Sequence, residues 1–148
     1  MQDMFPDRSP QDYSVNYQIM GKAPCRTLVF NLYHMGLFTC GYDVNDVEGS
    51  TTTSQIVLYE GSNIIEVYVK NRQACLRFNQ GAGLIGIQNA NGTVAYTPPG
   101  RNMGPWNAHE EAWRFSPDAE STAEFLWEKD DEFFSTDAEI DIQVDKTV

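Results

Sequence analysis

The sequence predicts an all-β protein, an antiparallel β-sandwich, on three observations. Short stretches rich in β-branched and aromatic residues recur with period-two alternation. Turn-forming residues separate them at spacings of roughly 8–12 residues. No window carries an apolar stripe at i, i+3, i+4 and i+7 over a dozen positions, the mark of an amphipathic helix.

The strands follow in order. The stretches "YSVNYQIM" (13–20) and "RTLVFNLY" (26–33) both alternate; the second puts Leu28, Phe30 and Leu32 on one face, Val29 and Tyr33 on the other. Around the turn "GSN", "QIVLYE" (55–60) and "IIEVYVK" (64–70) read as a hairpin. Its second arm points Ile65, Val67 and Val69 one way, Glu66, Tyr68 and Lys70 the other, as a half-buried strand does. Further strands are expected at "ACLRF" (74–78), "GLIGIQ" (83–88), "TVAYT" (93–97) and "EAWRF" (111–115), with Asn91-Gly92 turning a hairpin.

Composition bounds the organisation. The net charge of the 148 residues is −11, and it is unevenly spread. Residues 117–148 hold 11 acids and 2 bases, a net of −9, against 10 acids and 8 bases, a net of −2, in residues 1–116. We divide the chain into a β-sandwich domain at 1–116, a linker at 117–122, and an acidic β segment at 123–148. That segment either opens a following unit or forms a final hairpin of the same sandwich. An acidic surface repels phosphate backbones and anionic lipid, so neither nucleic acid nor membrane insertion is expected. No apolar run approaches the ~20 residues of a membrane helix. The N-terminal "MQDMFPDRSPQD" has neither a basic nor an apolar signal region, so an exported protein would carry its signal outside this sequence.

Signals for chemistry are weak. No nucleophile elbow, H-E-x-x-H or Walker loop is present. "GAGLIG" (81–86) has dinucleotide-fingerprint spacing but no following helix to receive a phosphate, so it reads as closely packed glycines. His34 ends a strand, and His109 stands beside Glu110 and Glu111; both histidines read as ordinary strand-end or surface residues. A catalytic use of His109 with either glutamate is the least favoured reading. No cofactor is expected. Calcium is the sharper reading of "DVNDVEGS", where Asp43, Asn45, Asp46 and Glu48 supply oxygen ligands, although Val47 breaks the EF-hand pattern and a solvated loop is the plainer one. Asn91-Gly92-Thr93 is a glycosylation sequon as well as a turn. The cysteines Cys25, Cys40 and Cys75 have no zinc spacing, and three thiols allow at most one internal disulfide.

The densest stretch is "AYTPPGRNMGPWNAHEEAWRF" (95–115). Pro98-Pro99-Gly100 forces a turn. Trp113, alternating with Phe115, reads as core. Trp106 is balanced between core and an exposed anchor for a partner. Arg101 reads as a clamp on backbone carbonyls that closes the crossover. If the chain binds glycan or protein, the residue types favour Trp106, Arg101, Tyr68 and Tyr96 as the ligand-binding set.

Four stretches, "APCRTLVFNLYHMGLFTC", "SQIVLYEGSNIIEVYVKNRQAC", "GLIGIQNANGTVAYTPPGRNMGPW" and "EAWRF", occur in that order. Together they resemble a domain of large cell-surface proteins of Bacteroidota, in the group with gliding-motility-associated and type nine secretion-dependent proteins. The layout is also similar to the nidogen extracellular (NIDO) domain. The resemblance covers residues 5–115 and implies a jelly-roll or NIDO-like sandwich, exported, displayed on the bacterial cell surface and without catalytic residues. It implies a Cys40–Cys75 disulfide, with Cys25 left over. It implies further strands upstream of "MFPDRSP" and an immunoglobulin-like unit beginning after Ser116. The function it implies is adhesion or spacing, with glycan, protein or neighbouring domains as partners. An accessory carbohydrate-binding module of a secreted hydrolase is the alternative.

Overall fold

The computed structural model describes residues 3–118, and the backbone of 127–129 and 132–135. Alternation does organise the chain. Strands β1 (Ser14–Met20), β2 (Thr27–Met35), β3 (Thr52–Tyr59), β4 (Ile65–Arg72) and β9 (Ala108–Phe115) form one antiparallel sheet in that order. The all-β antiparallel expectation therefore holds. Between β4 and β9 the chain makes two small ribbons: β5 (Ala82–Gly83) pairs with β8 (Gly104–Pro105), and β6 (Ile87–Gln88) with β7 (Ala95–Tyr96). A single helical turn, α1 (Val47–Ser50), lies between β2 and β3. A separate hairpin joins β10 (Trp127–Lys129) to β11 (Glu132–Ser135). Residues 119–122 of the expected linker and the rest of the 123–148 segment lie outside the described residues.

Register separates two chemical faces, because successive side chains of a strand point to opposite sides. One row runs Tyr17, Phe30, Ile56, Val67, Trp113; the next runs Ile19, Leu28, Leu58, Ile65, Phe115. The opposite face carries Asn16, Asn31, Gln55, Tyr68 and Ala112 in one row, and Gln18, Val29, Val57, Glu66 and Arg114 in another. The segment bearing the ribbons packs on the apolar face at its β4–β9 end. There Val69, Ile85 and Ala108 are buried, with Val67, Trp106, Trp113 and Phe115 against them.

Two expected strands take other forms. "ACLRF" (74–78) is a turn, with Phe78 N–H donating to the Cys75 carbonyl. Cys75 is bonded to Cys40 and Phe78 packs edge-on against Phe38, so this stretch is held by those contacts instead of by a sheet. "GLIGIQ" (83–88) is split between two ribbons, since Ile85 N–H donates to the Arg101 carbonyl and not along a ladder.

A bulge sets the polarity at the end of β4. From Ser54 to Thr53, β3 advances one residue, while β4 advances two, from Val69 to Asn71. The extra residue inverts the alternation, so Arg72 lies on the Val69 side, where both line the same groove.

Candidate functional site

The 95–115 stretch is built around Arg72. Pro98–Arg101 turns on an Arg101 N–H to Pro98 carbonyl bond, with Gly100 at φ 68°. That turn carries Trp106 back across the sheet, where two guanidiniums stand over its ring, Arg72 at 3.8 Å and Arg101 at 4.8 Å from the ring centroid. The indole N–H donates to the Gly83 carbonyl at 3.0 Å. Arg72, only 3% exposed, donates to the carbonyls of Trp106 and Gly81. Burial, then the neighbouring Arg101 charge, presses its pKa down to about 10, which leaves it charged at neutral pH.

Arg101 is a clamp, but not mainly on carbonyls. It pairs bidentately with Glu111 and otherwise reaches the carbonyl of its neighbour Gly100. The reason is positional: β9 places Glu111 on the apolar face beside Val69, where an unpaired carboxylate would be costly. The Trp113 indole N–H also donates to Glu111. These bonds, the Arg101 one first, lower the Glu111 pKa. Trp106 and Trp113 are thus both packed against the core.

The opposite face is open and polar. Side-chain amides form a ladder across three strands: Gln55 donates to Asn31 at 2.7 Å, Asn31 to Asn16 at 2.9 Å, and Asn16 to Ser14 Oγ at 3.3 Å. With Tyr33, Tyr68 and Lys70 they line a shallow depression of about 480 Å³. Beside it, Glu66 is 4% exposed and accepts from the hydroxyls of Tyr68 (2.6 Å) and Tyr59 (2.7 Å) and from Arg114 (2.7 Å). Those bonds, Tyr68 first, hold its carboxyl down at about 2.

Of the four residues expected to bind ligand, the fold brings two together. Trp106 and Arg101 meet on the apolar side, Tyr68 lies on the polar face, and Tyr96, 60% exposed, sits on the β6–β7 ribbon. The "DVNDVEGS" side chains have separate partners. Asp43 Oδ1 accepts from Asn45, Asp46 caps α1 through Gly49 N–H, and Glu48 pairs with Lys70 at 2.7 Å. Among the described residues, no group of three or more His, Cys, Asp or Glu could hold a metal ion. His34 Nδ1 lies 2.9 Å from Asp12, with its ring stacked on Tyr33. His109 and Glu110 are exposed, while Glu111 is held by Arg101.

Asn71 and Arg72 were not singled out by sequence reasoning. Asn71, 7% exposed, donates to the carbonyls of Glu48 and Thr51 and so ties the α1 loop to β4. One signal for Arg72 lay in "GAG" at 81–83: a Cβ on Gly83 would meet its guanidinium. The remaining landmark is covalent, a Cys40–Cys75 disulfide with an exposed free Cys25, as the resemblance implied.

A family model described as NIDO related matches residues 2–126. The chain belongs to the NIDO-related family. Comparisons with curated proteins and with solved structures find no match. The NIDO-related match covers the whole sheet, both ribbons and the disulfide, and it runs past the end of β9. No helix among the described residues is long and apolar enough to cross a membrane.

Proposed function

We propose that this NIDO-related domain is a non-catalytic module of an exported bacterial surface protein, of the gliding-motility-associated and type nine secretion-dependent kind, serving adhesion or spacing. The family match over residues 2–126 carries this reading. A disulfide that persists in an oxidising compartment supports export. The clusters that hold titratable groups are self-satisfied ion pairs of architectural residues, which fits a module without catalysis.

A second reading, an accessory carbohydrate-binding module, is favoured by the open polar face. Its amides and tyrosines are the groups that pair with sugar hydroxyls and stack on sugar rings. A glycan array probed with the full chain, in calcium and again in chelator, tests whether the polar face binds sugar. Binding lost in Asn31→Ala and Tyr68→Ala would assign glycan recognition to that face, and a catalytic domain in the same open reading frame would then favour the second reading. Binding lost in chelator alone would assign a calcium role to Asp43, Asn45, Asp46 and Glu48. A folded chain that binds no glycan in either buffer leaves adhesion to protein, or spacing.

A further inference from the structure

Two buried polar atoms have no hydrogen-bond partner among the described residues: the Thr52 hydroxyl and the Nε–H of Arg72. Each residue is only 3% exposed. Interiors seldom leave such groups unmet, because each has given up its bonds to water without replacement. The two are also neighbours. One step beyond the Thr53–Asn71 pair, the register sets Thr52 of β3 opposite Arg72 of β4. Both line one groove of about 560 Å³ on the apolar face, a volume in the range of small-molecule sites.

The groove has an apolar end and a polar end. Its floor begins at the Ile56–Val67 pair, passes Ser54–Val69 and finishes at Thr52 and Arg72. From Ile56 to Thr52 the strand advances roughly 13 Å. Trp106 walls the polar end, with the Arg72 guanidinium over its ring. Charge points the same way. Arg101 has Glu111 as its counter-ion, whereas among the described residues no carboxylate pairs with Arg72. The two carbonyls that Arg72 holds occupy its Nη groups and leave its charge uncompensated. Asp3, which also lines the groove, is exposed and makes no ion pair with it. A buried cation in such a setting is stabilised by an anion. The bulge that turns Arg72 inward is a device that elsewhere re-aims side chains at sites.

We propose that this groove binds a small amphipathic monocarboxylate, its apolar chain along β3 and β4 and its carboxylate on Arg72 and Thr52. The Nε–H and the hydroxyl both donate, so the head group must accept, and charge assistance makes an anionic head the strongest acceptor. The chain gains by leaving water for the aliphatic floor. Affinity then comes from the floor and selectivity from the polar end. The site lies on the opposite side of the sheet from the amide ladder, so it is independent of any glycan recognition there.

The test is calorimetric titration of the full chain with decanoate, kept below its micelle concentration, beside 1-decanol and decylamine, which share its chain and differ in the head. Decanoate should bind saturably at a single site, at least about tenfold more tightly than the alcohol, and the amine should not bind. Thr52→Val keeps the side chain's shape and removes the unpaired hydroxyl. Its Tm should therefore hold, while its affinity for decanoate falls roughly tenfold and its affinity for decanol does not. Equal affinities for acid and alcohol overturn the proposal in favour of an unselective apolar surface. The absence of saturable binding overturns it outright, as does a Thr52→Val chain that binds decanoate like the parent. A second measurement places the ligand. Decanoate should slow hydrogen exchange in 52–56 and 67–72 by roughly tenfold, and slowing confined to other segments overturns the proposal.

Discussion

Replacing Cys40 and Cys75 together by alanine removes a constraint whose size follows from the topology. The bond joins residues 35 apart, and the loop it closes contains β3 and β4, two of the three central strands of the main sheet. Chain-entropy reasoning for a loop of that length gives about 4 kcal/mol at 25 °C, the conformational freedom the unfolded chain regains when the bond is lost. That is a large share of the ~5–15 kcal/mol typical of a domain. For a domain of this size it corresponds to a fall in Tm of roughly 10–20 °C. Cys75 is 5% exposed, so alanine there also leaves a small void and adds to the loss. The assay is thermal and urea unfolding of the double variant, beside the unmodified chain with and without reductant and a Cys25→Ser control. The control should match the parent, because Cys25 is exposed and outside the bond. A double variant melting within about 2 °C of the parent would refute the reasoning: the unfolded chain would then be held compact by other means.

Arg72→Met should cost about 3 kcal/mol in urea unfolding, because it leaves the buried carbonyls of Gly81 and Trp106 without their donor and removes a cation from the Trp106 ring; a red-shifted tryptophan emission should accompany it. Gly83→Ala should destabilise by roughly 1–3 kcal/mol, since its Cβ would meet the Arg72 guanidinium, whereas Gly92→Ala, which meets nothing within 4 Å, should cost only the roughly 1 kcal/mol of its φ of 69°. Stability should fall in acid: the carboxyls of Glu66 and Glu60 are held at about 2, below the ordinary range, so their contribution is present above about pH 4.5 and is lost as pH falls toward 2. Titrating urea midpoints from pH 6 to pH 2 should therefore show a shallower decline in Glu66→Gln than in the parent.

The main sheet was legible because each of its strands has one wet and one dry face, and period-two alternation records that directly. β1 through β4 and β9 stand where "YSVNYQIM", "RTLVFNLY", "QIVLYE", "IIEVYVK" and "EAWRF" put them. What stayed hidden depends on departures from the period. A one-residue bulge before Asn71 turns Arg72 inward, although unbroken alternation from Ile65, Val67 and Val69 would turn Asn71 inward instead. "ACLRF" has strand composition, but a disulfide at Cys75 and the edge-on contact of Phe78 with Phe38 hold it as a turn. Trp106 could not be placed from sequence, because besides its near neighbour Arg101 its environment is Arg72 and the Gly83 carbonyl, both drawn from distant parts of the chain.

The two faces of the sheet constrain each other's roles. An interaction module must present some surface, and the choice here lies between an amide-and-tyrosine face and an aliphatic one. Asn16, Asn31 and Gln55 bond chiefly to one another, so the ladder is held in place before any ligand arrives and loses little side-chain entropy on binding. The aliphatic face is floored by Phe30, Ile56 and Val67, which gain from any dry cover and carry no hydrogen-bonding group to discriminate among covers. A selective glycan or protein partner would therefore be recognised on the polar face, and simple closure falls to the aliphatic floor of the apolar one. Substitutions at Asn16, Asn31 and Gln55 should alter binding, read on a glycan array, while substitutions at Phe30, Ile56 or Val67 should chiefly lower the Tm.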